Sequence, residues 1–152
     1  MANPFVTGAS SKDVSYNTSN LPLLKEYAWD FVHDTFRLDD TGSFIEVTEN
    51  EALKVWIYKA LKTERYRHEA YRHGIHDTDS NYGVELERFI GRRTNDPKNA
   101  AEIETYIRDC LAVNPYILRI DSIDITENKK DRLTFEITLT SIYGHTTEEV
   151  SI

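Results

Sequence analysis

The chain has 152 residues, of which 39% are hydrophobic and 29% are charged, and its formal net charge is −8. This balance is typical of a folded protein, and the length suits one domain around one core. The negative charge disfavours nucleic-acid binding, because phosphate backbones repel it. The single cysteine, Cys110, suits a reducing compartment. No stretch has the pattern of a signal peptide or the length of a membrane span, so we expect a soluble, cytosolic protein that does not enter a membrane.

The first 26 residues differ in composition from the rest of the chain. Serine and asparagine dominate there, and the main apolar group is Leu21, Leu23 and Leu24. Such a composition predicts a flexible arm with one small anchor. The arm is either a frayed terminus or a segment that becomes ordered on a neighbouring protein. We therefore expect an arm at residues 1–26 and a single domain at residues 27–152.

Aromatic residues alternate with small or acidic ones after the arm, which predicts a half-buried strand with Tyr27, Trp29 and Phe31 on one side. Residues 39–42, Asp-Asp-Thr-Gly, predict a turn, and residues 44–47 predict the returning strand.

Three helices are predicted. Thr48 and Glu51 have the spacing of a capping box, and the helix that follows carries a stripe of apolar residues at helical spacing. The stripe consists of Leu53, Trp56, Ile57, Ala60 and Leu61. Residues 82–90 predict a short second helix with Leu86, Phe89 and Ile90 turned inward. Asp96 as N-cap and Pro97 at the first helical position predict a third helix. Its inward stripe is Ala100, Ile103, Ile107, Cys110 and Leu111.

Strands are predicted on both sides of these helices. Residues 65–76 favour a short strand or an extended loop. Pro115 ends the third helix, and an alternating pattern follows that slips by one residue, which indicates a bulge near Asp121 and Ser122. Residues 132–143 form the clearest strand, and residues 146–152 favour a last short one. The fold class we expect is α+β, with a small mixed or antiparallel sheet and three helices.

Residues with catalytic or metal-binding chemistry are few. His68, His73 and His76 do not have the spacing of a helical metal site, so we expect no metal and no cofactor. A pair of carboxylates among Glu64, Glu85 and Glu87 could in principle hydrolyse a glycoside, but nothing in the sequence sets their separation. Glu64 beside Arg65 is explained as simply by an ion pair at a helix end.

Four blocks of sequence resemble a known family. Residues 56–65, 71–75, 82–86 and 90–91 are similar to the small baseplate wedge protein of contractile phage tails. The closest similarity is to the type found in defective prophages and tail-like bacteriocins of Gram-positive bacteria, which also carries the Glu-Tyr-Ala-Trp-Asp-Phe of residues 26–31. The similarity spans residues 26–142, and the wider family includes the corresponding type VI secretion component.

The resemblance implies a structural protein and no enzyme. Its strands would imitate part of the tail sheath subunit in a strand-exchange, or handshake, sheet, so that sheath strands add to it and begin polymerisation. Implied partners are the other baseplate wedge proteins, the tail sheath protein and the central hub and spike proteins, with six copies in a sixfold assembly. The implied location is the baseplate of a virion or tail-like particle that is assembled in the bacterial cytoplasm.

The resemblance also suggests partner-binding residues. The wider family often has Glu-Pro-Arg where this chain has Asn114, Pro115 and Tyr116, so the proline is kept and the charge pair is lost. Tyr116 then either contacts another wedge subunit or packs inward with Leu118. We expect residues 132–143 at or near a sheet edge that receives a sheath strand. The predicted partner-binding residues are Arg65, Tyr82, Asn114, Pro115, Tyr116, Leu133, Phe135, Ile137 and Leu139.

Two other functions stay open. One is a lysozyme-like peptidoglycan hydrolase, in which Glu64 or Glu85 would be required for clearing of a cell-wall suspension. The other is a free-standing peptide-binding adaptor, which would be a stable monomer without affinity for tail proteins.

Overall fold

The computed structural model describes residues 20–65, 67, 82–92 and 96–152. Their elements confirm the α+β class. In chain order these are β1 (Lys25–Tyr27), β2 (Trp29–Asp30), β3 (Thr35–Phe36), β4 (Glu46–Thr48), α1 (Glu49–Lys62), a 3-10 helix (Glu87–Phe89), α2 (Pro97–Leu111), β5 (Ile117–Lys129), β6 (Arg132–Ser141) and β7 (Gly144–Ser151).

Residues 25–48 fold into two short antiparallel pairs, β1 with β4 and β2 with β3, which we call the ribbon. The predicted turn at residues 39–42 is confirmed. The Asp39 carboxylate accepts hydrogen bonds from the backbone N–H groups of Thr41 at 2.8 Å and Ser43 at 2.9 Å. Gly42 has a φ of +82°, a conformation that glycine adopts at little cost.

Helix α1 begins after Thr48, as predicted, but without the predicted capping box. The Thr48 side chain makes no capping hydrogen bond within the described residues. The backbone N–H of Glu49 instead donates to the carbonyl of Leu24 at 3.1 Å. Four residues of the predicted stripe are buried: Leu53, Ile57, Ala60 and Leu61. Trp56 is only partly buried. Its ring packs edge-on against Tyr82 at a centroid distance of 6.0 Å.

The predicted α-helix over residues 82–90 is not confirmed. This segment forms a single 3-10 turn, although Leu86 and Phe89 are buried as expected. Gly83 and Gly91 flank the turn with φ values of +88° and +74°, which interrupt right-handed helical geometry on both sides. The described part of the chain therefore has two α-helices where three were expected.

Helix α2 matches the prediction at its start and on its buried face. The Asp96 side chain accepts a hydrogen bond from the backbone N–H of Lys98 at 3.0 Å, and Pro97 occupies the first turn. The buried residues are Ile103, Ile107, Cys110 and Leu111. Burial raises the pKa of the Cys110 thiol to about 11, so this cysteine is an unreactive core residue.

Strands β5, β6 and β7 form an antiparallel sheet in that order. The register between β5 and β6 shifts at three places, and the shift between Ile120 and Ser122 confirms the predicted bulge. Both helices contribute to the core that covers the inner face of β6. The largest buried side chains of this core include Leu53, Ile57, Ile103, Ile107, Leu111, Leu133, Phe135, Ile137 and Leu139.

The prediction puts residues 132–143 at or near a sheet edge, and they do not form the edge itself. Strand β6 is the central strand, paired with β5 on one side and with β7 on the other. Alternation along one strand defines its two faces but does not determine which strands lie beside it. The outer strands of the described sheet are β5 and β7.

Candidate functional site

The outer edge of β7 is one of the two strand edges of the described sheet. Leu133 and Ile152 exchange two backbone hydrogen bonds of 2.9 Å, so this is a hydrogen-bonded pair of the antiparallel ladder. Such pairs alternate with non-hydrogen-bonded ones. In the β6–β7 register, every second residue of β7 therefore has its backbone N–H and C=O groups pointing away from β6. These residues are His145, Thr147, Glu149 and Ser151.

These outward groups make no backbone hydrogen bond with any other described residue. The β6–β7 register runs from Thr134–Ser151 to Ser141–Gly144 without a bulge, so the edge is regular. Natural sheets usually protect such edges with bulges, prolines or covering segments. The sequence analysis missed these four residues. Their segment reads His-Thr-Thr-Glu-Glu-Val-Ser over residues 145–151, which has no alternation that would single them out.

The opposite edge, on β5, is distorted and partly covered. The Arg108 guanidinium donates to the carbonyl of Ile120 at 3.1 Å, so α2 occupies a β5 backbone group beside the bulge. Near the other end of β5, the Asn128 side chain accepts from the N–H of Gly91 at 2.8 Å and donates to the carbonyl of Arg92 at 2.8 Å. Bulges and side-chain bonds of this kind hinder pairing with an added strand. The two edges therefore differ: the β5 edge is irregular, and the β7 edge is regular.

Four predicted partner-binding residues lie on the inner face of β6, where each has an exposed fraction of 0%. They are Leu133, Phe135, Ile137 and Leu139. Their side chains are covered by the core residues of the chain itself. Contact with a partner stays a prediction for them.

Asn114 and Pro115 lie where α2 turns into β5. The N–H of Asn114 donates to the carbonyl of Leu111 at 3.1 Å, and its side-chain oxygen accepts from the N–H of Tyr116 at 2.9 Å. Asn114 is buried, with an exposed fraction of 5%. Its side chain therefore holds the reversal of the chain, as a short Asx-type turn.

Tyr116 has an exposed fraction of 9%, and its hydroxyl donates to the carbonyl of Pro22 at 2.7 Å. Its ring stacks on Tyr143 at a centroid distance of 6.1 Å, and the Tyr143 hydroxyl accepts from the N–H of Leu24 at 2.9 Å. Burial raises the pKa of Tyr116. Tyr116 thus packs inward, but against Tyr143, since Leu118 is 56% exposed. A contact with a wedge subunit stays a prediction.

The two tyrosines hold part of the predicted arm. Leu21 and Leu24 pack against the core, whereas Leu23 is 49% exposed. The expected boundary between residues 26 and 27 falls inside β1. Residues 1–19 lie outside the described residues, so the flexible arm and the division into arm and domain stay predictions.

Arg65 and Tyr82 join α1 to the segment before the 3-10 helix. The Arg65 Nε and Nη2 atoms donate to the carbonyl of Gly83 at 3.1 and 2.9 Å. A Cβ at Gly83 would lie 2.6 Å from the Thr63 carbonyl oxygen, so only glycine fits this approach. Partner binding by Arg65 and Tyr82 stays a prediction. The predicted strand or loop at residues 65–76 falls almost entirely outside the described residues, as do His68, His73 and His76.

Glu64 lies in a groove of about 530 Å³ that Leu61, Leu86, Glu87, Ile90, Lys130 and Ile152 help to line. Burial raises the pKa of Glu64, and the charges of Glu87 and Glu85 raise it further. Glu87 is paired with Arg67 through two contacts of 3.0 and 3.1 Å. The groove therefore contains a carboxyl group that holds its proton more tightly than usual beside a carboxylate that is charge-paired.

Neither a metal site nor a membrane span occurs in the described part of the chain. No group of three or more His, Cys, Asp or Glu side chains there could hold a metal ion. No helix among those residues is long and apolar enough to cross a membrane.

A family model described as contractile injection system sheath initiator matches residues 25–144. The match covers most of the chain, from β1 to the start of β7. No curated protein sequence matches the chain.

Proposed function

The chain belongs to the contractile injection system sheath initiator family, and from this we propose that it starts sheath assembly by accepting a sheath strand at the outer edge of β7. Family membership makes it a component of a contractile injection system with a structural role. The observation that supports our proposal is the regular, unpaired edge at His145, Thr147, Glu149 and Ser151.

Strand addition is favourable at such an edge because its backbone groups are already held in extended geometry. The four outward-facing residues offer four N–H donors and four C=O acceptors to an incoming strand. The rest of the sheet is fixed by the core, so little order has to be gained on the side of this chain. A sheath strand that added here would extend the sheet by a fourth strand beside β7.

We propose further that this subunit joins the other wedge proteins around the central hub and spike, with six copies in a sixfold baseplate. This rests on the family and on the sequence resemblance, which applies equally to a phage, a tail-like bacteriocin or another injection system. The handshake exchange of strands is part of the same proposal.

The substitution Thr147→Pro tests strand addition at β7. It removes an outward N–H and leaves the ladder with β6 intact, because proline is tolerated on the open side of an edge strand. In a strain that lacks the native protein, we expect Thr147→Pro to give baseplates without sheath. The matched control Thr147→Ala keeps the N–H and should give sheathed particles. Sheaths of normal length on Thr147→Pro baseplates would contradict the proposal.

The groove at Glu64 favours one alternative, a peptidoglycan hydrolase. A carboxyl group with a raised pKa beside a second carboxylate is the arrangement that glycoside hydrolysis uses. Purified protein should then clear a cell-wall suspension, and Glu64→Gln or Glu87→Gln should abolish clearing. Our proposal expects no clearing by the native protein and normal sheath assembly by both variants.

A further inference from the structure

The ribbon exposes an unusual amount of apolar side chain. Nine large hydrophobic residues are exposed in the described part of the chain, and six of them fall between residues 27 and 44. They are Tyr27, Phe31, Val32, Phe36, Leu38 and Phe44, with exposed fractions of 50, 44, 86, 41, 53 and 55%. Scattered exposed hydrophobics need no explanation, but a contiguous group indicates an interaction site.

Four of these residues form one continuous surface, which we call the aromatic surface: Tyr27, Phe36, Leu38 and Phe44. The Phe44 ring lies 5.3 Å from the Tyr27 ring and 5.1 Å from the Phe36 ring, measured between centroids. Leu38 and Phe44 are bridge partners on neighbouring segments, so their side chains are adjacent. The rings therefore contact one another and leave their outer sides to solvent.

The aromatic surface is held in place from behind. Lys59 on α1 pairs with Glu26 at 2.7 Å, and the Tyr58 hydroxyl donates to Asp34 at 2.9 Å. Ala28, between the two halves of the ribbon, has an exposed fraction of only 3%. The surface is thus fixed to α1 before any partner arrives, which lowers the entropy cost of binding.

The charges around the aromatic surface are mainly negative. Residues 25–48 contain six carboxylates and two cationic side chains. Three of these carboxylates are paired with lysines, Glu46 with Lys25, Glu26 with Lys59 and Asp34 with Lys62, and Asp30 contacts His33 at 2.7 Å. Asp39 and Asp40 are exposed next to Leu38, and Arg37 is exposed on the other side of Leu38 in the sequence. Hydrogen bonds from Thr41 and Ser43 lower the pKa of Asp39, so it stays ionised. Asp39 and Asp40 outnumber Arg37, so they would repel their counterparts in a second copy and attract a partner with basic residues beside its apolar ones.

We propose that the aromatic surface docks a segment of another protein of the particle, in which aliphatic side chains are bordered by lysine or arginine. The inference depends on membership in the sheath initiator family, which places the chain in a multiprotein particle, but not on strand addition at β7. The two surfaces lie on different elements, the ribbon and the outer strand of the sheet. One partner would therefore not compete with the other for the same backbone groups.

Site-specific photocrosslinking in assembled particles tests this proposal. A benzoylphenylalanine replaces Phe44, which is 55% exposed, and a matched control carries it in place of Leu118, which is 56% exposed on β5. We expect the probe at position 44 to crosslink to an aliphatic segment with flanking lysine or arginine in another particle protein. The probe at position 118 should not give this product. Adding Asp40→Lys should lower the yield at position 44 by roughly two- to fivefold, as a reversed rim charge does.

Three results would overturn the proposal. They are a crosslink from position 44 to a second copy of the chain, a crosslink to its own residues 1–19, and no crosslink in assembled particles. An unchanged or higher yield with Asp40→Lys would overturn the charge argument and with it the stated partner. Baseplates that carry Thr147→Pro and have no sheath should still give the crosslink at position 44. Failure of strand addition and failure of this inference are therefore distinguishable.

Discussion

The inner face of β6 and the aromatic surface of the ribbon have similar sequence patterns and opposite environments. In β6, Leu133, Phe135, Ile137 and Leu139 alternate with polar residues, and each is 0% exposed. In the ribbon, aromatic residues also alternate with polar or small ones, yet Tyr27 is 50% exposed. The two regions differ in whether a second layer of side chains covers them. Core side chains of α1 and α2 cover β6, whereas the ribbon keeps its aromatic side open. Alternation defines a face, and the covering layer decides whether that face is core or available to a partner.

The largest difference in stability is expected between two variants that each truncate one phenylalanine, one in each region. Phe135→Ala should lower the free energy of unfolding by about 3–5 kcal/mol, because it opens a cavity in a packed core. Phe44→Ala should cost less than about 1 kcal/mol, because most of its ring already contacts water. Urea denaturation of both variants measures the difference. Equal losses would show that the ribbon is part of the core.

Trp56→Ala sharpens the comparison between these extremes. Trp56 is partly buried and packs on Tyr82, at the border of the core. We expect a loss of about 2–3 kcal/mol, below the usual range for a fully buried aromatic side chain. The same urea titrations check this value. A loss of stability as small as that expected for Phe44→Ala would show that the Trp56 side chain is mostly exposed to water.

Tyr116→Phe tests how firmly the anchor at residues 20–24 is attached. The change removes the hydroxyl that donates to Pro22 and keeps the ring that stacks on Tyr143. The free energy of unfolding should fall by about 0.5–1.5 kcal/mol, and the amide of Leu24 should exchange faster with solvent. Tyr27→Phe is the control, because its side chain is exposed and should tolerate the change. Unaltered exchange at Leu24 in Tyr116→Phe would mean that the hydroxyl does not hold the anchor.

The smallest expected effect is a pH dependence at Glu64. Its pKa in the folded chain is raised, so the folded state binds this proton more tightly than the unfolded state does. The stabilisation is present below the ordinary glutamate pKa and is lost as pH rises through the raised value. Glu64→Gln should therefore match the native protein near pH 4 and be slightly more stable at pH 7. Urea midpoints at both pH values measure this. A variant that is less stable at pH 7 would show that the ionised carboxylate is stabilising.

The sequence predicted several features that depend on neighbouring residues, although the capping box expected at Thr48 and Glu51 did not form. Asp96 and Pro97 mark the start of α2 because a cap needs only the next turn, and the slip after Ile120 marks the bulge because it breaks a period of two. The buried stripe of α2 follows from helical spacing in the same way.

Features that depend on distant segments could not be predicted. The position of β6 inside the sheet requires the pairing of β7, and the outward turn of the aromatic residues requires the absence of a covering layer over the ribbon. Tyr116 bonds Pro22, a residue 94 positions away, so nothing near it in the sequence signals this contact. The close approach of Gly83 to the Thr63 carbonyl, ahead of the 3-10 turn that stands in place of the predicted helix, likewise joins two separate segments.

Electron cryomicroscopy of the junction between baseplate and sheath tests the central claim most directly. The account predicts a sheath strand beside β7, hydrogen-bonded to the backbone of Thr147 and Glu149. A sheath strand paired with β5, or a β7 edge that stays unpaired in sheathed particles, would contradict it.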